Sequence, residues 1–171
     1  MHKNLLLILA GALFVVLVLV YAVLFLRSSE RQRSPEELVQ VILESTDPVE
    51  QEKAAVELAG LGEPALEHMR RVLAESKSDV VRGAAIRGLG SQFDYESMES
   101  LLDAMTDPSP LVRGPAGAAA QNMVGADFGF TAGAPPEKRE RAIADIRGEW
   151  EIMRASPESL EQLRKRMCRH K

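Results

Sequence analysis

The residues of this chain whose types could hold a metal or attack a substrate are few: His2, His68, His170 and Cys168. A metal site needs several such ligands converging on one point, yet the three histidines fall near the start, in the middle and at the end of 171 residues. Cys168 and His170 are at most half a site in a terminal tail. Glu67 and His68 are neighbours, and adjacent helical residues point about 100° apart, so they do not serve one centre. A single cysteine excludes an intramolecular disulfide and leaves the redox compartment unread. No GxSxG elbow, P-loop or GxGxxG is present, and Cys168 has no upstream base to activate it. The pattern argues against an enzyme and offers no catalytic, cofactor-binding or metal-ligating residue.

What remains is charge and a few aromatics. The net charge is -4, which disfavours a nucleic-acid binder. Charge is unevenly spread: between Glu36 and Glu67 there are nine acids and one base, Lys53, whereas the stretch from Arg164 to Lys171 is basic. Such a tail is a solvated helix end or, near a bilayer, a contact for anionic lipid. Aromatics are only 5% of residues, and Ala, Leu, Val and Met carry the apolar content, which favours packed helices over a sandwich of strands.

Those groups must be positioned by elements that the chain spells out in order. From Leu5 to Leu26, LLLILAGALFVVLVLVYAVLFL contains no charge, Pro, Asn or Gln. At about 1.5 Å per residue it reaches about 33 Å, enough to cross a bilayer. Bulky Leu24, Phe25 and Leu26 run straight into Arg27 without a small-residue cleavage site, so the segment reads as a retained, single-pass anchor. Lys3 and the α-amino group oppose Arg27, Arg31 and Arg33, which leaves the side of the membrane open. The expected organisation is an anchor over residues 1–26, a polar linker over 27–34, helical repeats over 35–125, and a loop with capping helices and basic tail over 126–171.

Ser34-Pro35-Glu36-Glu37 opens a first helix with a capping hydroxyl, Pro at its first position and acids in its first turn. It runs to about Ser45. Thr46-Asp47-Pro48 turns into a second helix ending near Gly60. Gly62-Glu63-Pro64 restarts a helix to about Glu75, and after Ser76 to Asp79 another ends at Leu89-Gly90. A third pair spans Tyr95 to Thr106 and Pro110 to Val124. Pro115, beside Gly114 and Gly117, predicts a kink or a late start in the last of these. The second helices align as VEQEKAAVELAGLG, SDVVRGAAIRGLG and SPLVRGPAGAAAQ, placing Lys53, Arg82 and Arg113 at 29- and 31-residue spacings.

On those residues the segment from Pro35 to Gly125 resembles the HEAT-repeat family, whose units carry an Asp in the turn, then Val-Arg, small residues and a closing Leu-Gly. Asp107 to Arg113 and Asp47 to Lys53 share a spacing of six, and Leu61-Gly62 and Leu89-Gly90 close two units. Ser76 stands where the middle unit would carry that Asp. The resemblance implies a structural ladder of Asp and Arg between neighbouring turns.

Beyond the repeats, GADFGFTAGAPP brings Phe128 and Phe130 in a loop, and Pro136 to Arg154 forms a helix with Ile143, Ile146, Trp150 and Met153 on one stripe. Asp127-Phe128-Gly129-Phe130, Ala134-Pro135-Pro136-Glu137 and Trp150 are similar to a segment attached to HEAT repeats in planctomycete proteins, although Ile146 and Glu149 stand where that pattern has further tryptophans. A final short helix runs from Ser156 to about Arg169.

The fold expected is therefore all-α: a transmembrane helix, then a short α-solenoid of about three HEAT-like pairs with C-terminal caps. The function expected is a membrane-anchored protein-interaction or scaffold module, in a bacterial inner membrane, with a protein partner and the bilayer around Leu5 to Leu26. The alternative is an enzyme accessory or bilin-lyase-like protein handling a small molecule in an apolar pocket near Phe128 and Phe130.

Overall fold

Proline at a first helical position and a hydroxyl or carboxylate just before it recur along the chain, and each such pair starts a helix. The computed structural model describes Val18, Tyr21, residues 33–156 and Glu158. The chain divides into two compact units, Met1–Ser34 and Pro35–Lys171. The run from Leu5 to Leu26 lies outside the described residues save Val18 and Tyr21, both helical. Among the described residues no helix is long and apolar enough to cross a membrane. The expected last helix also lies outside them, apart from Ser156 and Glu158.

The second unit contains helices α1 (Pro35–Glu44), α2 (Pro48–Gly60), α3 (Leu66–Glu75), α4 (Asp79–Ser91), α5 (Met98–Ala104), α6 (Pro110–Val124) and α7 (Pro136–Arg154), and no strand occurs among the described residues. α3 and α5 are each preceded by a short 3-10 turn, Glu63–Ala65 and Tyr95–Ser97. The helices pair as α1/α2, α3/α4 and α5/α6, each pair packed against itself, and the second members stack in the order α2, α4, α6.

Small residues set that stacking. A Cβ placed on Gly83 of α4 would lie 2.5 Å from the Leu111 carbonyl oxygen of α6, and one on Gly90 would lie 2.6 Å from the Ala119 Cβ. On the opposite flank of α4, a Cβ on Gly88 would come within 3.0 Å of the Ala59 Cβ of α2. The second helices therefore approach closely, backbone to backbone. The first helices present Leu38, Met69, Leu101 and Leu102 to the interior instead.

Apolar burial gathers in two clusters, with half-buried Leu73 packed against both. Leu38, Ile42, Leu58, Met69, Val81 and Leu89 fill the first two units. Ile86, Leu101, Met105, Val112, Ala120 and Met123 fill the third and continue into Ile143, Ile146, Trp150 and Met153 of α7. The stripe read from the sequence of α7 thus closes the third unit. α6 begins at Pro110 and runs unbroken through Pro115 to Val124, so the late start expected there does not occur. Pro115 has no N–H to give the Leu111 carbonyl, but that carbonyl lies one residue into the helix, where the first turn is free to tilt. It faces the bare Cα of Gly83.

Candidate functional site

The turns between paired helices repeat one arrangement at a fixed 31-residue interval. Asp47, Ser78 and Ser109 cap α2, α4 and α6, accepting from Val49, Val81 and Leu111 N–H respectively. Two residues earlier, Ser45, Ser76 and Asp107 each accept the N–H of that cap, at 3.2, 3.2 and 2.7 Å. Four residues after each cap, a long side chain reaches back to the same turn. Gln51 Nε2 donates to Ser45 O at 2.7 Å, Arg82 Nη1 to Ser76 O at 3.2 Å, and Arg113 Nη1 to Asp107 O at 2.7 Å.

This geometry corrects the alignment drawn from sequence. Gln51, not Lys53, corresponds to Arg82 and Arg113, and Asp47 takes the capping role of Ser78 and Ser109 rather than the place of Asp107. One ionic rung of the ladder is present: Arg82 donates to Asp107 Oδ2 of the next unit at 3.1 Å, while also holding Asp79 at 2.8 Å. Between the first and second units the equivalent positions, Gln51 and Ser76, are both neutral. Among the described residues Arg113 meets no carboxylate from the next turn. Its Nε and Nη2 instead donate to Ala132 O, at 3.2 and 2.9 Å, so a loop carbonyl stands where the next repeat's carboxylate would be.

The same loop is held by Gln121, whose Oε1 accepts from Phe128 N at 2.9 Å and from Phe130 N at 3.2 Å. The Phe130 ring lies against Gly117, on ground that any side chain there would occupy. Phe128 is half-buried against the core of the third unit. These phenylalanines pack as part of the cap. Beside Phe130 an open depression of about 780 Å³ is lined by Phe93, Ala118, Gln121, Asn122 and Asp127. Trp150 stacks on Tyr95 with ring centroids 5.9 Å apart and planes 4° from parallel. Arg147 of α7 reaches back to Glu99 of α5 at 2.6 Å.

An ion pair with a buried carboxylate and a partly exposed arginine joins the second and third units, and sequence reasoning missed it. Phe93 adopts φ 52°, a left-handed conformation, and swings the chain from the end of α4 so that Asp94 comes to lie under Arg70 of α3. Arg70 Nε and Nη2 donate to the two Asp94 oxygens at 2.7 and 2.5 Å, Ser97 Oγ donates to Asp94 Oδ2, and Arg70 also pairs with Glu96. Burial pushes the Asp94 carboxyl up, but the hydrogen bonds from Arg70 and Ser97 outweigh it and hold the group below its usual range. The hydrogen bond to Asp94 raises Arg70 further. The only sequence hint was Asp94 three residues before Ser97 at a helix start.

His68 lies half-buried on α3, with Nε2 3.0 Å from Glu36 of α1 and Nδ1 buried without a partner. Glu67 beside it is exposed. Among the described residues no three His, Cys, Asp or Glu side chains are placed to hold a metal ion. His2, Cys168 and His170 lie outside those residues.

The outward side of the second helices is where apolar surface is left uncovered. Within residues 35–156 the exposed large hydrophobics are Val49, Val56, Val80, Leu111 and Ile152, and four of these five belong to α2, α4 and α6. Val49, Val80 and Leu111, at 58%, 38% and 55% exposure, are themselves 31 residues apart, so the stacking lays them in one row. One helical repeat further along each helix stand Val56, Arg87 and Ala118, all exposed.

The family model for HEAT repeats matches residues 35–121, just over half of the chain. The chain belongs to the HEAT-repeat family. No curated protein and no solved structure matches it. HEAT repeats in general serve protein–protein interaction and scaffolding. In that frame the three HEAT units here are α1/α2, α3/α4 and α5/α6, and α7 with its loop is the cap.

Proposed function

We propose that this chain is a membrane-tethered protein-interaction module of planctomycete type, whose second-helix face grips a helix or an extended segment of a partner protein. The observation that carries the reading is the exposed row of Val49, Val80 and Leu111 across three stacked helices. Apolar side chains repeated at the period of the fold and left to water are a docking surface, because solitary exposed hydrophobics carry no such register. The tether is the apolar run from Leu5 to Leu26. Three units offer a modest surface, so confinement at a bilayer would raise the effective concentration of a membrane-bound partner. No residue is assigned a catalytic, cofactor or metal role.

The test is affinity purification of the full-length chain from detergent-solubilised cells, beside a Val80→Asp/Leu111→Asp variant. Both positions are exposed, so the variant keeps its helical circular dichroism. A reproducible set of partners that disappears with the double substitution is the expected result. An empty set, or one that survives it, refutes the reading, and extraction of the chain by carbonate without detergent refutes the tether.

A further inference from the structure

The second-helix face carries information about its partner's charge. On α2, Glu52 and Lys53 are exposed side by side and offset one another, Glu50 accepts from Ser45 Oγ, and Glu57 is likewise engaged. α6 contributes one charged side chain, Arg113, and its donors are already turned to Asp107, Pro108 and Ala132 carbonyls. On α4, Arg82 is tied to Asp79 and Asp107. That leaves Arg87, an exposed residue two helical turns along α4 from Val80, whose guanidinium folds back over Gly83 toward the Leu111 backbone. Arg87 has no ion-pair or hydrogen-bond partner among the described residues. In a chain of net charge -4, an unanswered guanidinium turned toward the exposed row of Val80 and Leu111 is complementary to an acid on an apolar segment.

Resting on the interaction reading above, we propose that the partner is a protein segment bearing a carboxylate that seats on Arg87 and aliphatic side chains that lie along Val49, Val80 and Leu111. Helices in contact lie about 8–10 Å apart, so the row spans roughly 16–20 Å. A segment of about six extended residues covers that length. Guanidinium is suited to the seat because it offers a planar, two-pronged donor to a carboxylate while stacking its flat face on neighbouring hydrocarbon.

The experiment places a photoreactive residue at Ala118 in the full-length chain, in the cells that make it, with a second copy of the experiment at Glu140 on α7. Adducts are sequenced by mass spectrometry and compared in the otherwise unchanged chain, in Arg87→Glu and in Arg87→Lys. The expected result is an Ala118 adduct on a segment that contains Asp or Glu among aliphatic residues. Its yield falls about fivefold or more in Arg87→Glu and is largely kept in Arg87→Lys. An Ala118 adduct indifferent to Arg87→Glu, or mapped to a segment without an acid, overturns the charge assignment and leaves the interaction reading standing. Adducts at Glu140 alone, or none, overturn both. Unchanged thermal unfolding of Arg87→Glu confirms that any loss is one of binding.

Discussion

Replacing Gly83 by Ala tests whether small residues set the approach of the second helices. In an ordinary helix interior the exchange stabilises, by about 0.8–1.0 kcal/mol. At Gly83 the new Cβ would sit 2.5 Å from the Leu111 carbonyl oxygen, a separation that real Cβ atoms do not adopt. The obstacle is backbone, so α4 and α6 must part along their whole contact rather than rotate a side chain away. Overpacking of that kind costs about 1–3 kcal/mol, which cancels the propensity gain at the least and leaves a net loss of about 2 kcal/mol at the most. For a chain of this size each kcal/mol moves the midpoint by about 2–4 °C. Thermal unfolding of the full-length chain in detergent, followed by circular dichroism, should therefore show Gly83→Ala gaining nothing and melting up to about 8 °C lower. Gly148→Ala in α7, where nothing lies within 4 Å of the new Cβ, should melt slightly higher. A Gly83→Ala variant that melts higher, as Gly148→Ala does, would refute the close-approach account.

Further outcomes follow from the polar contacts. Asp94→Asn strands Arg70, and because Arg70 is a third exposed the loss should be about 2 kcal/mol rather than the 3–5 of a fully buried pair, read from denaturant midpoints. The folded Asp94 titrates below its usual 3.8, so its contribution is complete above that value and fades as pH falls through the lowered one. The gap between parent and variant should accordingly shrink on acidification, and a constant gap would contradict the assignment. Gln121→Leu removes the acceptor of Phe128 and Phe130 N–H, and hydrogen exchange at those two amides should quicken about tenfold or more; unaltered protection would mean the loop is held otherwise. Gln51→Arg together with Ser76→Asp should install the missing ionic rung and stabilise by up to about 1 kcal/mol beyond the sum of the single changes, in a double-mutant cycle whose coupling would vanish if the 31-residue register were wrong.

Helix boundaries in the repeats were legible because Pro48, Pro110 and Pro136 each follow a turn and each begins a helix. The α7 stripe was legible because its period is that of a helix with one buried side. The register of the first unit was not. Lys53 resembles Arg82 in charge, and Asp47 resembles Asp107 in type, but what repeats is a reach from side chain to turn carbonyl, and Gln51 makes it as well as an arginine does. Chemical type and structural role part company wherever a neutral amide satisfies the same acceptor. Asp94 and Arg70 escaped notice because 24 residues separate them and a left-handed Phe93, which no pattern announces, brings them together. The face with Val49, Val80 and Leu111 emerges only once the correct register lines them up.

The contact between Arg113 and the Ala132 carbonyl bears on how such a stack comes to have a finite number of members. A ladder in which each unit shows an acid to the arginine before it can grow by any unit that does the same. The loop gives Arg113 an acceptor with the right geometry but without a full negative charge, while Arg139, four residues after the Pro135 cap, reaches back to the Ala134 carbonyl at 2.6 Å as the earlier long side chains do. The difference is in the acceptor alone: the reach from side chain to turn is kept, and the carboxylate that would make it ionic is replaced by a peptide carbonyl. Among the described residues the ionic part of the ladder thus ends where Arg82 meets Asp107, and a neutral rung carries the same geometry onward into the cap.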